Sequence, residues 1–221
     1  MKTFLVNGSN RGIGLELCRQ LKERDYNVIA ACRMTSPELE ALNVRVTTGV
    51  DVTSSAAVTG LLARLDGVSL DGLILNAGLL EATRMEPLDL ESLRRQFEVN
   101  ALGPLRFARA LLPHLMAGSK VAIISSRMGS IGDNTSGGSY GYRMSKAALN
   151  MAGKSLAVDL KPLGIAVAIL HPGLVRTRMV GPNPQAIEPA VAVNGLLARI
   201  DELNLENSGT FWHANGEVLP W

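Results

Sequence analysis

The sequence has little of what marks a disulfide-stabilised, membrane-spanning or nucleic-acid-binding protein. Among 221 residues there are 2 cysteines, 4% aromatic residues and a formal net charge of only +2. The longest unbroken apolar run, residues 165–170, is far too short to cross a bilayer, and residues 4–6 are too short for the core of a signal peptide. Cys18 and Cys32 show no metal-ligand spacing, so we expect buried thiols, no metal and a cytoplasmic location. No dense basic run points to nucleic acid.

What the sequence does contain is an ordinary globular composition, with 47% hydrophobic and 19% charged residues. A chain of this length buries one substantial core. No internal repeat or flexible linker divides it. We therefore expect one domain over residues 1–221.

Short apolar runs alternate with amphipathic segments along most of the chain. Six runs without period-two alternation predict strands covered on both faces: residues 3–7, 27–32, 44–48, 72–76, 120–125 and 165–170. A short segment, residues 209–213, predicts a further strand that closes the sheet at one edge. Five amphipathic segments predict helices: residues 14–24, 54–65, 90–116 (one helix or two), 141–161 and 189–203. This order predicts an α/β fold with a Rossmann-type, doubly wound parallel sheet of about seven strands and helices on both faces.

A glycine-rich turn follows the first predicted strand directly. Its sequence is Asn7-Gly8-Ser9-Asn10-Arg11-Gly12-Ile13-Gly14. Glycines let the backbone approach a pyrophosphate, and the N-terminus of the following helix offers free N–H groups. The spacing G-x-x-x-G-x-G differs from the more common G-x-G-x-x-G, and tight turns need glycine for structural reasons too. The position after the first strand favours a dinucleotide site.

The end of the second predicted strand indicates which dinucleotide would bind. An NAD site usually has a carboxylate there for the ribose 2′-hydroxyl, whereas this strand ends in Cys32-Arg33. Arg33, together with Arg11 in the glycine turn, has the geometry to hold a 2′-phosphate. Either arginine alone is equally compatible with a solvated surface charge. The pair favours NADP(H), with NAD(H) as a possible second cofactor.

Tyr142 has a lysine four residues later, Lys146, on a predicted helix. Residues i and i+4 share a helix face, and a nearby ammonium favours the ionised form of a phenol. A phenol tuned in this way exchanges the proton that accompanies hydride transfer at a carbonyl carbon. The pair is also compatible with an exposed helix face.

Two serines end the fifth predicted strand, Ser125 and Ser126. Ligands of doubly wound sheets bind at the carboxyl ends of the strands, where a hydroxyl can stabilise charge on a substrate oxygen. Strand alternation directs one serine to the cleft and the other into the packing, without deciding between them.

These residues occur in the order and spacing of a known family. The motifs are Gly8-x-x-x-Gly12-Ile13-Gly14, Asn76-Ala77-Gly78, Asn100, Ser126, Tyr142-x-x-x-Lys146 and Pro172-Gly173-x-Val175-x-Thr177. In this the chain resembles the short-chain dehydrogenase/reductases over nearly its whole length. The segment before Tyr142 and the C-terminal residues are similar to the branch that contains C-factor and the sniffer carbonyl reductases.

The resemblance implies a role for each catalytic position. Ser126 would hold the substrate oxygen and Tyr142 would act as the general acid/base. Lys146 would lower the pKa of Tyr142 and bind the nicotinamide ribose. Asn100 would support a water between Lys146 and solvent, although a purely structural role for Asn100 is equally compatible with the sequence.

The resemblance also implies the cofactor site. Asp51 would contact the adenine, Thr177 would meet the carboxamide, and Asn76 would shape the turn beside the cofactor; a purely structural role for Asn76 is equally compatible with the sequence. The full set of expected cofactor-binding residues is Gly8, Asn10, Arg11, Gly12, Ile13, Gly14, Arg33, Asp51, Val52, Asn76, Ala77, Gly78, Tyr142, Lys146, Pro172, Gly173, Val175 and Thr177. Asn7 departs from the threonine usual in the family, and an asparagine can replace its hydrogen bonds.

Two functions remain open from the sequence. The first is an NADPH-dependent carbonyl reductase of small aldehydes or ketones, or an alcohol dehydrogenase in reverse. The second is an NAD(P)-binding signalling protein of the C-factor type that acts through a partner. The apolar helices favour a homodimer or homotetramer. No nucleic-acid or membrane partner is expected.

Overall fold

The computed structural model describes all residues, 1–221. Seven strands form one sheet in the order β3-β2-β1-β4-β5-β6-β7, and every neighbouring pair is parallel. The predicted Rossmann-type fold class is therefore confirmed. The strands are β1 Thr3–Asn7, β2 Asn27–Ala31, β3 Arg45–Thr47, β4 Leu70–Leu75, β5 Leu115–Ile124, β6 Ala166–His171 and β7 Phe211–His213.

Seven α-helices and several short turns connect the strands. The helices are α1 Gly12–Glu23, α2 Pro37–Glu40, α3 Ser55–Ala63, α4 Leu90–Phe97, α5 Gly103–Leu111, α6 Tyr140–Leu160 and α7 Pro189–Glu202. No helix combines the length and the apolar character that a membrane crossing requires.

Two apolar clusters of similar size cover the two faces of the sheet. Leu5 and Ile29 belong to a cluster of 22 buried residues that includes side chains of α3, α5 and α6. Their neighbours Phe4 and Val28 belong to a cluster of 21, which includes side chains of α1 and α7. Because consecutive strand residues are buried on opposite faces, the strands read as unbroken apolar runs. Cys18 and Cys32 are free thiols, buried in the second cluster as expected.

The sheet reverses its winding between β1 and β4. β1 lies between β2 and β4, so the connections leave in opposite directions and open a crevice at the carboxyl ends of these strands. The glycine turn after β1 and the Asn76 turn after β4 both lie at this crevice. This edge of the sheet is where a ligand is expected.

The predicted segment 90–116, left open as one helix or two, forms two α-helices, and its helical part ends earlier than predicted. α4 and α5 are joined by a π-helical turn, Glu98–Leu102, in which the N–H of Gly103 donates to the carbonyl of Glu98. Pro104 has no N–H to donate, so the regular helical bonding pattern is interrupted there. The helix then ends in a 3₁₀ turn, Leu112–His114.

The predicted strand 120–125 is too short, because β5 begins at Leu115. Leu115 pairs with Leu70 of β4, a contact between distant parts of the chain. The first half of β5 is largely exposed, and its first two residues, Leu115 and Met116, fall within the predicted helix 90–116. Helix α2 also escapes prediction: Ser36 caps it through a 3.2 Å bond from the N–H of Leu39, but α2 is only four residues long.

Candidate active site

The glycine turn is built around close backbone contacts. Gly8 has φ +66°, and a Cβ on Gly14 would lie 2.1 Å from the carbonyl oxygen of Gly8. Helix α1 begins at Gly12, and its N-cap residue Arg11 makes no side-chain capping bond. The first N–H groups of α1 are therefore available to an anion, and the narrow glycine cradle fits a diphosphate.

Asn7 ties the glycine turn to the end of β4. Its Oδ1 accepts hydrogen bonds from the N–H groups of Asn76 (2.7 Å) and Ala77 (2.8 Å). In return, Nδ2 of Asn76 donates to the carbonyl oxygens of Asn7 (3.2 Å) and Gly8 (3.0 Å). Asn7, which stands where the family usually has threonine, therefore makes hydrogen bonds that order the glycine turn. Asn76 has a structural role at the crevice.

The residues expected at the adenine end lie on neighbouring strand ends. Oδ1 of Asp51 accepts bonds from the N–H and hydroxyl of Thr53, at 2.9 and 2.8 Å. The backbone bond from Thr53 is the main cause of the lowered pKa of Asp51, and the charges of Arg33 and Arg106 add to it. Arg33 is exposed and has no ion-pair partner within 4.0 Å.

Arg11 and Val52 complete this end of the crevice. Arg11 is exposed at the start of α1, also without an ion-pair partner, and Val52 is buried beside Asp51. Asn10 and Ile13 lie half-buried on the same glycine turn. The two guanidinium groups are therefore unengaged on the elements where a 2′-phosphate is expected.

The structure separates the two serines after β5. Ser125 is 3% exposed, and its hydroxyl donates to Oδ1 of Asn150 on α6 at 2.5 Å. Ser126 caps the following 3₁₀ turn by accepting from the N–H of Met128 at 3.2 Å. Its hydroxyl is also the polar neighbour that acts to lower the pKa of Tyr142. Ser125 is thus the packed serine, and Ser126 is the one beside the phenol.

Tyr142 and Lys146 share one buried face of α6. Nζ of Lys146 lies 5.7 Å from the centre of the Tyr142 ring and donates to the carbonyl of Ile124, at the end of β5, at 2.8 Å. Tyr142 is 8% exposed and Lys146 is 3% exposed. The exposed-face alternative is therefore wrong, and both polar groups are held at the carboxyl edge of the sheet.

The pKa values differ from the expectation that Lys146 makes Tyr142 more acidic. Burial raises the pKa of Tyr142 to about 12, and the hydrogen bond with Ser126 opposes this rise only partly. Burial also lowers the pKa of Lys146 to about 7. The protein's own groups therefore keep the phenol protonated at neutral pH, because desolvation outweighs the neighbouring amine.

Asn100 lies in the π-helical turn and is fully buried. Its Oδ1 accepts from the N–H of Leu79 (2.7 Å), and its Nδ2 donates to the carbonyl of Leu79 (2.7 Å) and to Ser145 (3.0 Å). A Cβ on Gly78 would lie 3.5 Å from Asn100 Oδ1 and 3.9 Å from Lys146 Nζ. Asn100 is thus close to Lys146, but its side-chain bonds all serve Leu79 and Ser145.

The segment after β6 returns to the glycine turn. A Cβ on Gly12 would lie 3.3 Å from Cγ2 of Thr177, so the two cofactor motifs converge there. Pro172 and Val175 are buried, and Gly173 has φ +88°. The loop that follows is anchored by two backbone hydrogen bonds, from the N–H of Arg176 to the carbonyl of Ile187 (2.9 Å) and from the N–H of Ile187 to the carbonyl of Leu174 (2.8 Å).

Sequence reasoning missed the C-terminal wall of the crevice. Arg127, directly after Ser126, donates to both carboxylate oxygens of Glu217 at 2.8 Å and lies 3.0 Å from Asp133. The N–H of Gly132 also donates to the carbonyl of Trp221 at 2.8 Å. The only sequence signal for this contact is the charge of Arg127 next to Ser126. Its partner Glu217 is 90 positions away, so the pairing could not be predicted from the sequence.

Comparison with known families and proteins gives a consistent result. Residues 2–188 match the family model described as short chain dehydrogenase. The chain is 46% identical over 226 residues to 1-hydroxy-2-glutathionyl-2-methyl-3-butene dehydrogenase of Rhodococcus sp. (strain AD45), with 100% of both proteins covered. It is 47% identical over 154 residues to C-signal of Myxococcus xanthus, covering 68% of this chain and 92% of that protein.

Solved structures show the same architecture. The carbonyl reductase Sniffer of D. melanogaster superposes with a TM-score of 0.93 at 31% identity and full coverage of both chains. The NADPH-bound carbonyl reductase from chicken fatty liver superposes with a TM-score of 0.90 at 30% identity, covering 100% of this chain and 99% of that one. The resemblance inferred from the motifs is confirmed.

Proposed function

Because the chain belongs to the short-chain dehydrogenase/reductase family, we propose that it is an NADPH-dependent reductase of small aldehydes or ketones that oxidises the corresponding alcohols in reverse. The observation that carries the proposal is the convergence of Ser126, Tyr142 and Lys146 at the sheet edge that holds the glycine turn. In this proposal Tyr142 is the acid, Ser126 is the orienting hydroxyl and Lys146 is the amine beside the proposed dinucleotide site.

The cofactor site is assigned to the residues that form the crevice. The free N–H groups at the start of α1 would hold the diphosphate, and Asp51 and Val52 would contact the adenine. Arg33 and Arg11 would pair with a 2′-phosphate, and the NADPH bound to the chicken relative supports this preference. The segment from Pro172 to Thr177 would lie against the nicotinamide.

The reaction divides between cofactor and protein. When bound, the reduced nicotinamide supplies a hydride to the carbonyl carbon. Ser126 orients the substrate oxygen, and Tyr142 donates its phenolic proton to that oxygen. The raised pKa of Tyr142 keeps this proton in place at neutral pH, as a proton donor requires. Lys146 holds the ribose. Because the side chain of Asn100 is hydrogen-bonded to Leu79 and Ser145, only the backbone of Asn100 is free to help return a proton to Tyr142.

The test is NADPH oxidation with a panel of aldehydes and ketones, comparing wild type with Tyr142→Phe. Removing the general acid is expected to lower kcat about 10²–10⁴-fold. Tyr140→Phe is the matched control, because Tyr140 lies half-buried on the first turn of the same helix. Unchanged turnover in Tyr142→Phe would reject the mechanism, and a wild type that reduces no carbonyl would reject the function.

A substrate that carries a glutathionyl thioether is a second candidate. It is favoured by the full-length relative at 46% identity, whose name specifies a glutathionyl-bearing alcohol. Arg178, directly after Thr177, is exposed and makes no ion pair within 4.0 Å, and a cation there suits the carboxylates of glutathione. Oxidation of a glutathionyl alcohol at a higher kcat/KM than the matching simple alcohol, with the preference lost in Arg178→Ser, would support this substrate class.

A signalling function through a protein partner is favoured only by the similarity to C-signal. It is distinguished by comparing catalysis with biological effect. If Tyr142→Phe abolishes both turnover and the cellular effect, the cellular effect depends on catalysis and the partner-mediated function is rejected. If the variant keeps the cellular effect, the partner-mediated function is supported.

We further propose that the protein is a homodimer or homotetramer in the cytoplasm. The exposed apolar side chains Phe97, Met144, Met151 and Val158 lie on the adjacent helices α4 and α6, and such surfaces commonly form subunit contacts. Light scattering of the purified chain measures the mass directly.

A further inference from the structure

Three polar side chains form a row across the carboxyl ends of β5, β6 and β7. Ile124 pairs with Leu170, so the next residues, Ser125 and His171, are neighbours. His171 in turn pairs with His213, and their rings meet edge to face at 4.9 Å. Adjacent strands lie about 4.8 Å apart, so the row is contiguous.

The row faces helix α6. A Cβ on Gly153 of α6 would lie 2.7 Å from Ile169 and 3.1 Å from Ile123, so these two strand residues point toward that helix. Strand alternation puts Ser125 and His171 on the same face. Asn150, one helical turn before Gly153, confirms this for Ser125 by accepting its hydroxyl bond.

Asn150 and the row of three side chains together form a polar cluster. Two buried polar atoms in this cluster have no hydrogen-bond partner: Nδ2 of Asn150 and Nδ1 of His171. Asn150 is only 3% exposed. Rotating its amide by 180° exchanges the oxygen and nitrogen but still leaves one of them unpaired. Buried polar groups without a protein partner usually bind an ordered water molecule.

His171 suits a water ligand in particular. Burial, together with the charges of His213, Arg127 and Lys146, lowers the pKa of His171 to about 3, so its ring is neutral at physiological pH. A neutral ring nitrogen either donates or accepts, and a water molecule satisfies both cases.

We propose that Asn150 and His171 bind one buried water molecule, and that both are positioning residues for the catalytic groups. The water-linked cluster joins three elements: β5, which precedes Ser126; α6, which carries Tyr142 and Lys146; and β6, which precedes Pro172. Asn150 is also one turn beyond Lys146 on the same helix. A bridge among the three elements fixes the distances on which hydride and proton transfer depend.

A crystal structure of the full chain with NADP⁺ tests the water site directly. The expected result is a well-ordered water within 3.2 Å of both Asn150 and His171. Empty or apolar-filled space between the two side chains would overturn the proposal. This measurement does not depend on the reaction, so it separates failure of the water site from failure of the proposed function.

Kinetics tests the positioning role, which rests on the proposed function. His171→Leu is expected to lower kcat about 10- to 100-fold, because small misplacements of reacting groups are costly, while the Kd for NADPH stays within about twofold. His171→Gln, which can still bind the water, is expected to recover most of the loss.

His114→Leu is the matched control. His114 contacts the carbonyl of Val68 at 2.8 Å, away from the carboxyl edge, so its loss is expected to affect stability and leave kcat unchanged. If His171→Leu lowers only the Tm, the positioning role is rejected. If that variant does not fold, the kcat of His171→Gln and the crystal structure decide.

Discussion

The side chains of Tyr142 and Lys146 lie one helical turn apart on α6, with the amine 5.7 Å from the phenol ring, and burial moves their pKa values in opposite directions. The pKa of Tyr142 rises to about 12 and that of Lys146 falls to about 7. Desolvation penalises the charged form of each group. The buried pair therefore favours a neutral phenol and an amine that readily loses its proton.

This pairing has a consequence for the direction of the reaction. A neutral phenol is the form that a carbonyl reductase needs as its proton donor. Alcohol oxidation requires Tyr142 to accept a proton, and a positive charge nearby would favour the phenolate. In the proposed function the oxidised nicotinamide provides such a charge, so the protein and the cofactor together set the acidity.

The buried amine predicts an unusual dependence of stability on pH. Because the pKa of Lys146 is about 7 when folded and about 10.4 when unfolded, the unfolded state binds more protons between these values. The contribution of Lys146 to the free energy of unfolding is thus least favourable below pH 7 and improves as the pH rises toward 10. Relative to Lys146→Met, wild type is expected to gain ~2–3 kcal/mol from pH 6 to pH 9. Urea denaturation at both pH values measures this, and a pH-independent difference would contradict it.

The glycine turn predicts a sharp contrast between two glycine substitutions. In Gly14→Ala the new methyl group would lie 2.1 Å from the carbonyl of Gly8 and 2.6 Å from Asn76, so the turn must open and NADPH binding is expected to weaken at least ~100-fold. Gly60→Ala is the control, because Gly60 lies in α3 with nothing within 4 Å. That change is expected to leave the Kd unaltered and to raise stability by up to ~1 kcal/mol. Titration calorimetry and denaturation distinguish the two; equal Kd values would refute the prediction.

The sequence predicts those parts of the site that depend on local residue types. The glycine turn follows β1 at once, and Tyr142 and Lys146 are close in the chain, so helix periodicity suffices to place them together. Alternation likewise predicts that one of Ser125 and Ser126 faces the crevice. The sheet follows in the same way from apolar runs covered on both faces.

Other features depend on contacts between distant residues. The start of β5 is set by the pairing of Leu115 with Leu70. The pKa of Lys146 depends on how completely the fold buries it. None of these quantities has a local sequence signal, so prediction fails there for a physical reason.

The preference for NADPH over NADH is expected to be lost in Arg33→Asp. Arg33 is the guanidinium at the end of β2, and a hydrogen bond to a charged group contributes about 1.5–3 kcal/mol. The kcat/KM with NADPH is therefore expected to fall roughly 10- to 100-fold, with little change for NADH. Arg19→Asp, which makes the same charge change on the exposed face of α1, is the control. If wild type uses the two cofactors equally, the assignment of Arg33 is wrong.

The ion pairs of Arg127 are expected to control substrate binding more than stability. Arg127 connects the loop after Ser126 to Glu217 in the C-terminal segment, and its side chain is 42% exposed. Exposed ion pairs contribute only about 0–1 kcal/mol to folding, so Arg127→Met is expected to leave Tm nearly unchanged. Freeing the C-terminal wall is nevertheless expected to raise the KM for a carbonyl substrate several-fold.

The Kd for NADPH is the internal reference, since the cofactor residues lie on other elements. Arg24→Met is the matched control: it removes an ion pair of similar exposure with Asp201, between α1 and α7. Its KM is expected to equal that of wild type. A Glu217→Gln variant removes the same contact from the other side and is expected to reproduce the KM of Arg127→Met, because both changes release the same segment. If Arg127→Met alters the Kd for NADPH as much as the KM for the carbonyl, the C-terminal segment is not a wall of the substrate site.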